Sequence, residues 1–231
     1  MSTENSKVTA LLYDFGGTLG FLDFELLASE LSRPHRKLDA LAVEHAEYAG
    51  RAAMDRYLMS ERKPDMQKGW EGFFRAWMNA MGITNEDEIR AIGERYREHH
   101  REATMWRVIR EGTHDALERL KSAGYKLAIV SNADGRVEAD CRRFGIADFF
   151  DVIVDSQVVG VEKPDPRIFH IALERLGVAP ETALYAGDIY SIDMLGAKAA
   201  GIAGKLIDQH DRYHWVDHAK IRHVGDLHRH K

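Results

Sequence analysis

A chain of 231 residues, 45% hydrophobic and 30% charged, has the balance of a folded globular protein, long enough for one large domain or one domain carrying a smaller insert. Its formal net charge of −5, with basic residues scattered and not gathered into a stripe, gives no ground for nucleic acid as a partner. One cysteine excludes an intrachain disulfide, no apolar run is long enough for a membrane helix, and the opening MSTENSK lacks a signal peptide's basic start, so a cytoplasmic protein without a membrane partner is expected.

The run VTALLYDF, Val8 to Phe15, is β-branched and aliphatic between polar flanks, which predicts a buried strand. Four helical patterns follow without a convincing strand, over Asp23 to Ser32, Arg36 to Ser60, Met66 to Met81 and Glu86 to Glu102. In the third, Trp70, Phe73, Phe74, Trp77, Met78 and Met81 recur at helical spacing and make one broad apolar face. That face is read as the core of a small helical bundle in preference to a cofactor contact; part of it could also serve a dimer, so monomer and homodimer both stay open.

After Val108 the pattern changes to helix, turn, strand, and repeats four times, ending in IRHVGDL, a candidate edge strand. Alternation at this spacing predicts right-handed crossovers and a doubly wound parallel sheet. The first strand has no partner nearby in sequence and should join that sheet. The expected fold is therefore α/β, a Rossmann-like core made of residues 1–20 and 108–231, with an all-helical insert over 21–107. Cys141, in a helix-like segment of the core, is read as a buried thiol and not a nucleophile.

In open parallel sheets ligands bind beyond the carboxyl ends of the strands. The first strand ends at Asp14 and the second at Ser131 and Asn132. The next is followed by GVEKPDP with Lys163, and the fourth ends at Gly187 and Asp188, with Asp193 one turn on. Carboxylates brought together repel, and a divalent cation with oxygen ligands, most simply Mg²⁺, relieves this. Ser131 and Lys163 can hydrogen-bond phosphoryl oxygens, Asp14 can attack in line to form an acyl phosphate, and FGGTLG offers backbone N–H groups at Gly17 and Thr18 to an anion. Each residue alone has a duller reading as a helix cap, turn or loop. Their order at successive strand ends favours the joint one.

These strings resemble the haloacid dehalogenase superfamily of hydrolases: YDFGGTL its first motif, VSN its second, GVEKPDP its third and YAGDIYSID its fourth. The resemblance implies a Rossmann-like core with a helical cap of the C1 type after the first motif, closing over the site and choosing the substrate. It implies Asp14 as nucleophile and metal ligand, the Gly16 carbonyl as a second ligand, and Asp188 as a direct ligand. Asp193 would lie in or just behind the metal's coordination sphere, Ser131 with Asn132 would bind the phosphoryl group, and Lys163 would steady Asp14. The implied reaction is Mg²⁺-dependent hydrolysis of a small phosphorylated metabolite.

One position departs. Family phosphatases usually carry an aspartate where this chain has Gly16, to protonate the leaving group and then activate water, help worth roughly 10²–10⁴-fold. Tyr190, Asp134 and His35 are candidate substitutes. Phosphonatase chemistry would need a desolvated lysine from Lys37, Lys63 or Lys68, haloacid dehalogenation would not explain the retained metal set, and a turnover-deficient phosphoryl-binding protein is the non-enzymatic alternative. His214 and His218, at i and i+4 in the histidine-rich end DQHDRYHWVDHAKIRHVGDLHRHK, have zinc-binding spacing on a helix but lack further ligands, and a solvated terminus is the preferred reading.

Overall fold

The computed structural model describes residues 7–228. The expectation drawn from MSTENSK and the last three residues of the histidine-rich end fall outside them. In chain order the elements are β1 (Ala10–Tyr13), β2 (Gly20–Phe21), α1 (Phe24–Leu31), α2 (Ala40–Ser60), α3 (Met66–Ala80) and α4 (Glu86–Glu102). Then come β3 (Val108–Ile109), α5 (Thr113–Ser122), β4 (Lys126–Ser131), α6 (Val137–Arg143), β5 (Val152–Asp155) and α7 (Ser156–Val159). The chain continues through α8 (Pro166–Leu176), β6 (Ala183–Gly187), α9 (Leu195–Ala199), β7 (Ala203–Ile207) and β8 (Lys220–Ile221). They fall into two compact units, one joining the chain up to Phe21 with the chain from Val108 onward, the other spanning Leu22–Arg107.

The first unit is built on a six-stranded parallel sheet in the order β5-β4-β1-β6-β7-β8. The first strand in sequence thus lies between two that follow the helical stretch, with Tyr13 opposite both Ile129 and Ala186. All four β1 residues are enclosed, which is why the strand reads as a continuous apolar run without alternation. The order reverses at β1, so the crevice of the switch point opens beyond its carboxyl end.

Some boundaries differ from expectation. β8 keeps only Lys220–Ile221, because the His223 ring accepts the Gly225 amide and turns HVGD into a 3₁₀ turn. The helix expected after β6 opens as a π-turn, Tyr190–Met194, before α9. β2 and β3 form a separate antiparallel pair that the sequence does not announce, since two-residue strands carry no period.

The unit of residues 22–107 holds α1 to α4. Asp23, Asp39, Asp65 and Asn85 each cap a helix by accepting an amide from its first turn. The second helix starts at Ala40 and not at Arg36, because Arg33 and Arg36 exchange backbone hydrogen bonds around Pro34 and Asp39 then takes the Ala42 amide. Trp77, Met78 and Met81 are buried with Leu31, Val43 and Ile92, and Trp77 Nε1 donates to the Val43 carbonyl at 3.1 Å. The front of the α3 stripe is not core: Trp70 is 47% exposed.

α2 and α3 approach closely at Gly50, where a β-carbon would lie 2.9 Å from the Phe73 carbonyl oxygen. Gly50→Ala should therefore destabilise this unit by about 1–3 kcal/mol through overpacking, read as a lowered midpoint in thermal unfolding followed by circular dichroism. An unchanged midpoint would show that the two helices have slack.

Candidate active site

Three strand ends, a π-turn and a loop supply the cluster. Asp14 follows β1, its amide held by the Ala186 carbonyl of β6, Ser131 ends β4, and Asp188 follows β6. Asp193 comes from the π-turn, whose extra residue per turn carries it back toward the strand end. Lys163 comes from the loop between α7 and α8. The carboxylates of Asp14, Asp188 and Asp193 all have an oxygen within 4.8 Å of one another, and all three are buried.

Lys163 sits at the centre and is 2% exposed. Its ammonium lies 2.7 Å from Asp14 Oδ1, 2.6 Å from Asp193 Oδ1 and 2.9 Å from the Tyr185 hydroxyl. Two of its N–H groups donate to Asp193 and Tyr185, and the contact with Asp14 is an ion pair. Burial alone would lower the lysine pKa, but Asp14 and Asp193 outweigh it and hold the ammonium charged above its ordinary value. Burial pushes the Asp14 carboxyl up from the usual carboxylate range and Asp193 adds to this, while Lys163 and the Ser131 hydroxyl oppose it. Burial, with Asp193 next to it, also holds the Tyr185 phenol well above its ordinary value, so it stays a neutral hydroxyl.

Asp193 is engaged on both oxygens. Oδ1 takes Lys163 and the Tyr185 hydroxyl at 2.8 Å; Oδ2 takes the amides of Asp188 at 3.1 Å and Ile189 at 2.9 Å. It therefore fixes the lysine and the backbone that carries Asp188. Asn132 works from the other side: Oδ1 accepts the Lys163 amide at 2.7 Å and Nδ2 donates to the Lys163 carbonyl at 2.9 Å. The loop after β4 is pinned in turn, with Asp155 Oδ2 accepting the Gly135 amide and Ser156 Oγ the Ala133 amide.

In the turn after β1, Gly17 takes the left-handed φ of 71°, and its amide donates to the Gly20 carbonyl, so this N–H is already committed within the loop. Gly16 lies in ladder contact with Gly20. The Thr18 hydroxyl is buried and has no hydrogen-bond partner among the described residues. The oxygen-only set of three carboxylates fits a hard divalent cation such as Mg²⁺, which would relieve their mutual repulsion.

The Tyr190 ring packs edge-on to His218, Asp134 pairs with Arg136, and His35 is exposed. Lys37, Lys63 and Lys68 are all exposed, so none is the desolvated lysine a Schiff base would need. His214 and His218 do not share a helix; His214 is exposed and His218 Nε2 lies 3.0 Å from the Gly204 carbonyl. Cys141 is buried, and desolvation pushes its thiol up to about 12. Tyr185 and the structural use of Asn132 escape sequence reading. A tyrosine inside a strand looks like core, though its place two residues before the Gly-Asp pair was a usable signal.

A parallel α/β sheet with a lysine and three carboxylates at its switch point places the chain in the Rossmann-like class. The family model described as haloacid dehalogenase-like hydrolase matches residues 8–201, and the chain belongs to this family. It is 33% identical over 138 residues to haloacid dehalogenase-like hydrolase domain-containing protein 3 of Bos taurus, covering 60% of this chain and 55% of that one. It is 41% identical over 97 residues to the glyceraldehyde 3-phosphate phosphatase of Methanothermobacter thermautotrophicus, covering 42% and 43%. The chain thus spans about half the length of the curated relatives it matches. Among solved structures, the HAD-hydrolase YfnB of Bacillus subtilis superposes with a TM-score of 0.65 at 21% identity, over 96% of this chain and 97% of that one, which speaks for the fold. No described helix is long and apolar enough to cross a membrane.

A β-carbon at Gly187 would stand 2.3 Å from Asp193 Cγ, so the π-turn carboxylate can approach only a glycine. Gly187→Ala should displace Asp193 and Lys163 together and lower hydrolytic turnover by about 10²-fold, the scale set by an ångström of misplacement. Turnover assays beside a circular-dichroism check of folding would test this, and unchanged activity would separate Asp193 from the chemistry.

Proposed function

We propose that this hydrolase is a Mg²⁺-dependent phosphatase of a small phosphorylated metabolite, working through an aspartyl-phosphate on Asp14. The observation that carries the reading is the buried Lys163 ammonium shared between Asp14 and Asp193, with Asp188 beside them. A nucleophilic carboxylate needs its charge in a desolvated site, and a fixed cation beside it supplies that stabilisation before substrate arrives. The phosphatase relative at 41% identity supports the same chemistry.

In this mechanism Asp14 attacks phosphorus in line, the ester oxygen leaves, and water then hydrolyses the acyl phosphate. Asp14, Asp188 and the Gly16 carbonyl would hold Mg²⁺, whose charge offsets that of the phosphoryl oxygens. Lys163 acts mainly as a positioned charge, since two of its N–H groups are already taken by Asp193 and Tyr185. Asp193 and Asn132 are positioning residues: one holds the ammonium and the Asp188 backbone, the other the lysine main chain. Ser131 and the uncommitted Thr18 hydroxyl are the hydrogen-bonding groups for the phosphoryl oxygens. With glycine at position 16, leaving-group protonation is the weak step, and substrates with good leaving groups are favoured.

Asp14→Asn should abolish phosphate release, and chelating divalent metal should do the same reversibly, with activity returning on addition of Mg²⁺. Both are read by phosphate release across a panel of phosphate monoesters, acyl phosphates, phosphonates and haloacids. Metal-independent halide release would overturn the phosphatase reading, and metal binding without any turnover would favour a phosphoryl-binding role.

The left-handed position of the loop is Gly17, so a side chain at position 16 meets no positive-φ strain. Gly16→Asp should raise turnover of ordinary alkyl phosphates by roughly 10²–10⁴-fold, with a smaller gain for acyl phosphates that leave unaided. A loss on both would mean that the glycine serves the shape of the site.

A further inference from the structure

Within the helical unit of residues 22–107, α1 and the end of α4 border a cleft of about 370 Å³. Leu22, Leu26, Leu27 and Met105 give it an apolar floor, and Arg95, His99 and Arg107 carry nitrogen to its rim. Arg107 Nη2 stands 2.6 Å from His99 Nε2, so a guanidinium donates to an imidazole. That is an unusual resting partner in this protein. Arg36 faces Glu88, Arg75 faces Glu86 and Arg142 faces Glu138, each a cation on a carboxylate.

The two acids bordering the cleft have other engagements. Asp23 Oδ1 accepts the Leu26 amide at 2.9 Å as the cap of α1, and Glu30 lies 3.9 Å from Arg95. Among the described residues, the exposed Arg107 guanidinium and the His99 imidazole therefore meet with no carboxylate on them. A planar carboxylate suits this corner, because a guanidinium binds it with two parallel hydrogen bonds, and the imidazole can donate a third once its Nε2 is released from Arg107 and carries the ring proton. The floor adds a second requirement: an inorganic anion would leave Leu26 and Met105 uncovered, whereas a short carbon chain would fill them.

We infer that this cleft binds a small organic carboxylate, its oxygens on Arg107 and His99 and its carbon chain along Leu26 and Met105. The ligand proposed is a free carboxylate held by this unit alone.

The test is a titration of the full chain, labelled with ¹³C at methionine methyl groups, with hexanoate and with hexan-1-ol as neutral control. The Met105 signal is assigned through Met105→Leu. A saturable shift with hexanoate and a much weaker response to hexanol are expected. Arg107→Gln should weaken hexanoate binding about 10-fold or more, in keeping with the strength of charge-assisted hydrogen bonds, and His99→Gln should weaken it in the same direction. No saturable shift, equal affinity for hexanol, or binding unchanged in both variants would overturn the site.

Discussion

The buried ammonium of Lys163 is the constraint on which the rest of the site depends. Removing one member of a buried ion pair typically costs about 3–5 kcal/mol, because the charge left behind has lost both water and partner. Here the lysine answers two carboxylates at 2.7 and 2.6 Å, so without it Asp14 and Asp193 would face each other in a desolvated pocket. The arrangement stores electrostatic order in advance of any substrate. It also couples the parts of the site, since Asp193 passes the restraint to the Asp188 backbone and Asn132 passes it to the loop after β4.

The fold makes this possible by bringing short, fully buried strands to the same edge. β1 lies between β4 and β6, so Asp14, Ser131 and Asp188 emerge side by side although far apart in sequence. Two backbone devices complete the geometry. Gly187 gives Asp193 the space a side chain would occupy, and the π-turn aims that carboxylate back over the strand end. The helical unit answers a different requirement, closing its core around Trp77 and Met78 with an asparagine or aspartate cap on each helix.

Much of this was legible in the chain. The four strings that carry Asp14, Ser131, Lys163 and Asp188 are local, and their chemistry depends on residue type and order, both of which a sequence displays. The helices of residues 22–107 were legible for the same reason, because a 3.6-residue period and a capping side chain are local features. Three things were not. Tyr185 looked like core until its hydroxyl met Lys163 and Asp193. The hold of the Asn132 carboxamide on the Lys163 peptide was not visible beside its expected role at the phosphoryl group. Arg33 and Arg36 looked helical until their backbones paired around Pro34.

By itself the sequence determined the class of fold, the family and the carboxylates and lysine that make the site, because strand runs, helical periods and strand-end residues are written in neighbouring positions. Which atoms of those residues face one another was decided only by tertiary structure. A hydrogen bond is a matter of ångströms between groups that parallel crossovers bring together from tens of residues apart, and the partners of Lys163 have no local signature. The glycine at position 16 belongs to both levels: its absent side chain was plain in the sequence, and the left-handed turn that would have explained it lies at Gly17 instead.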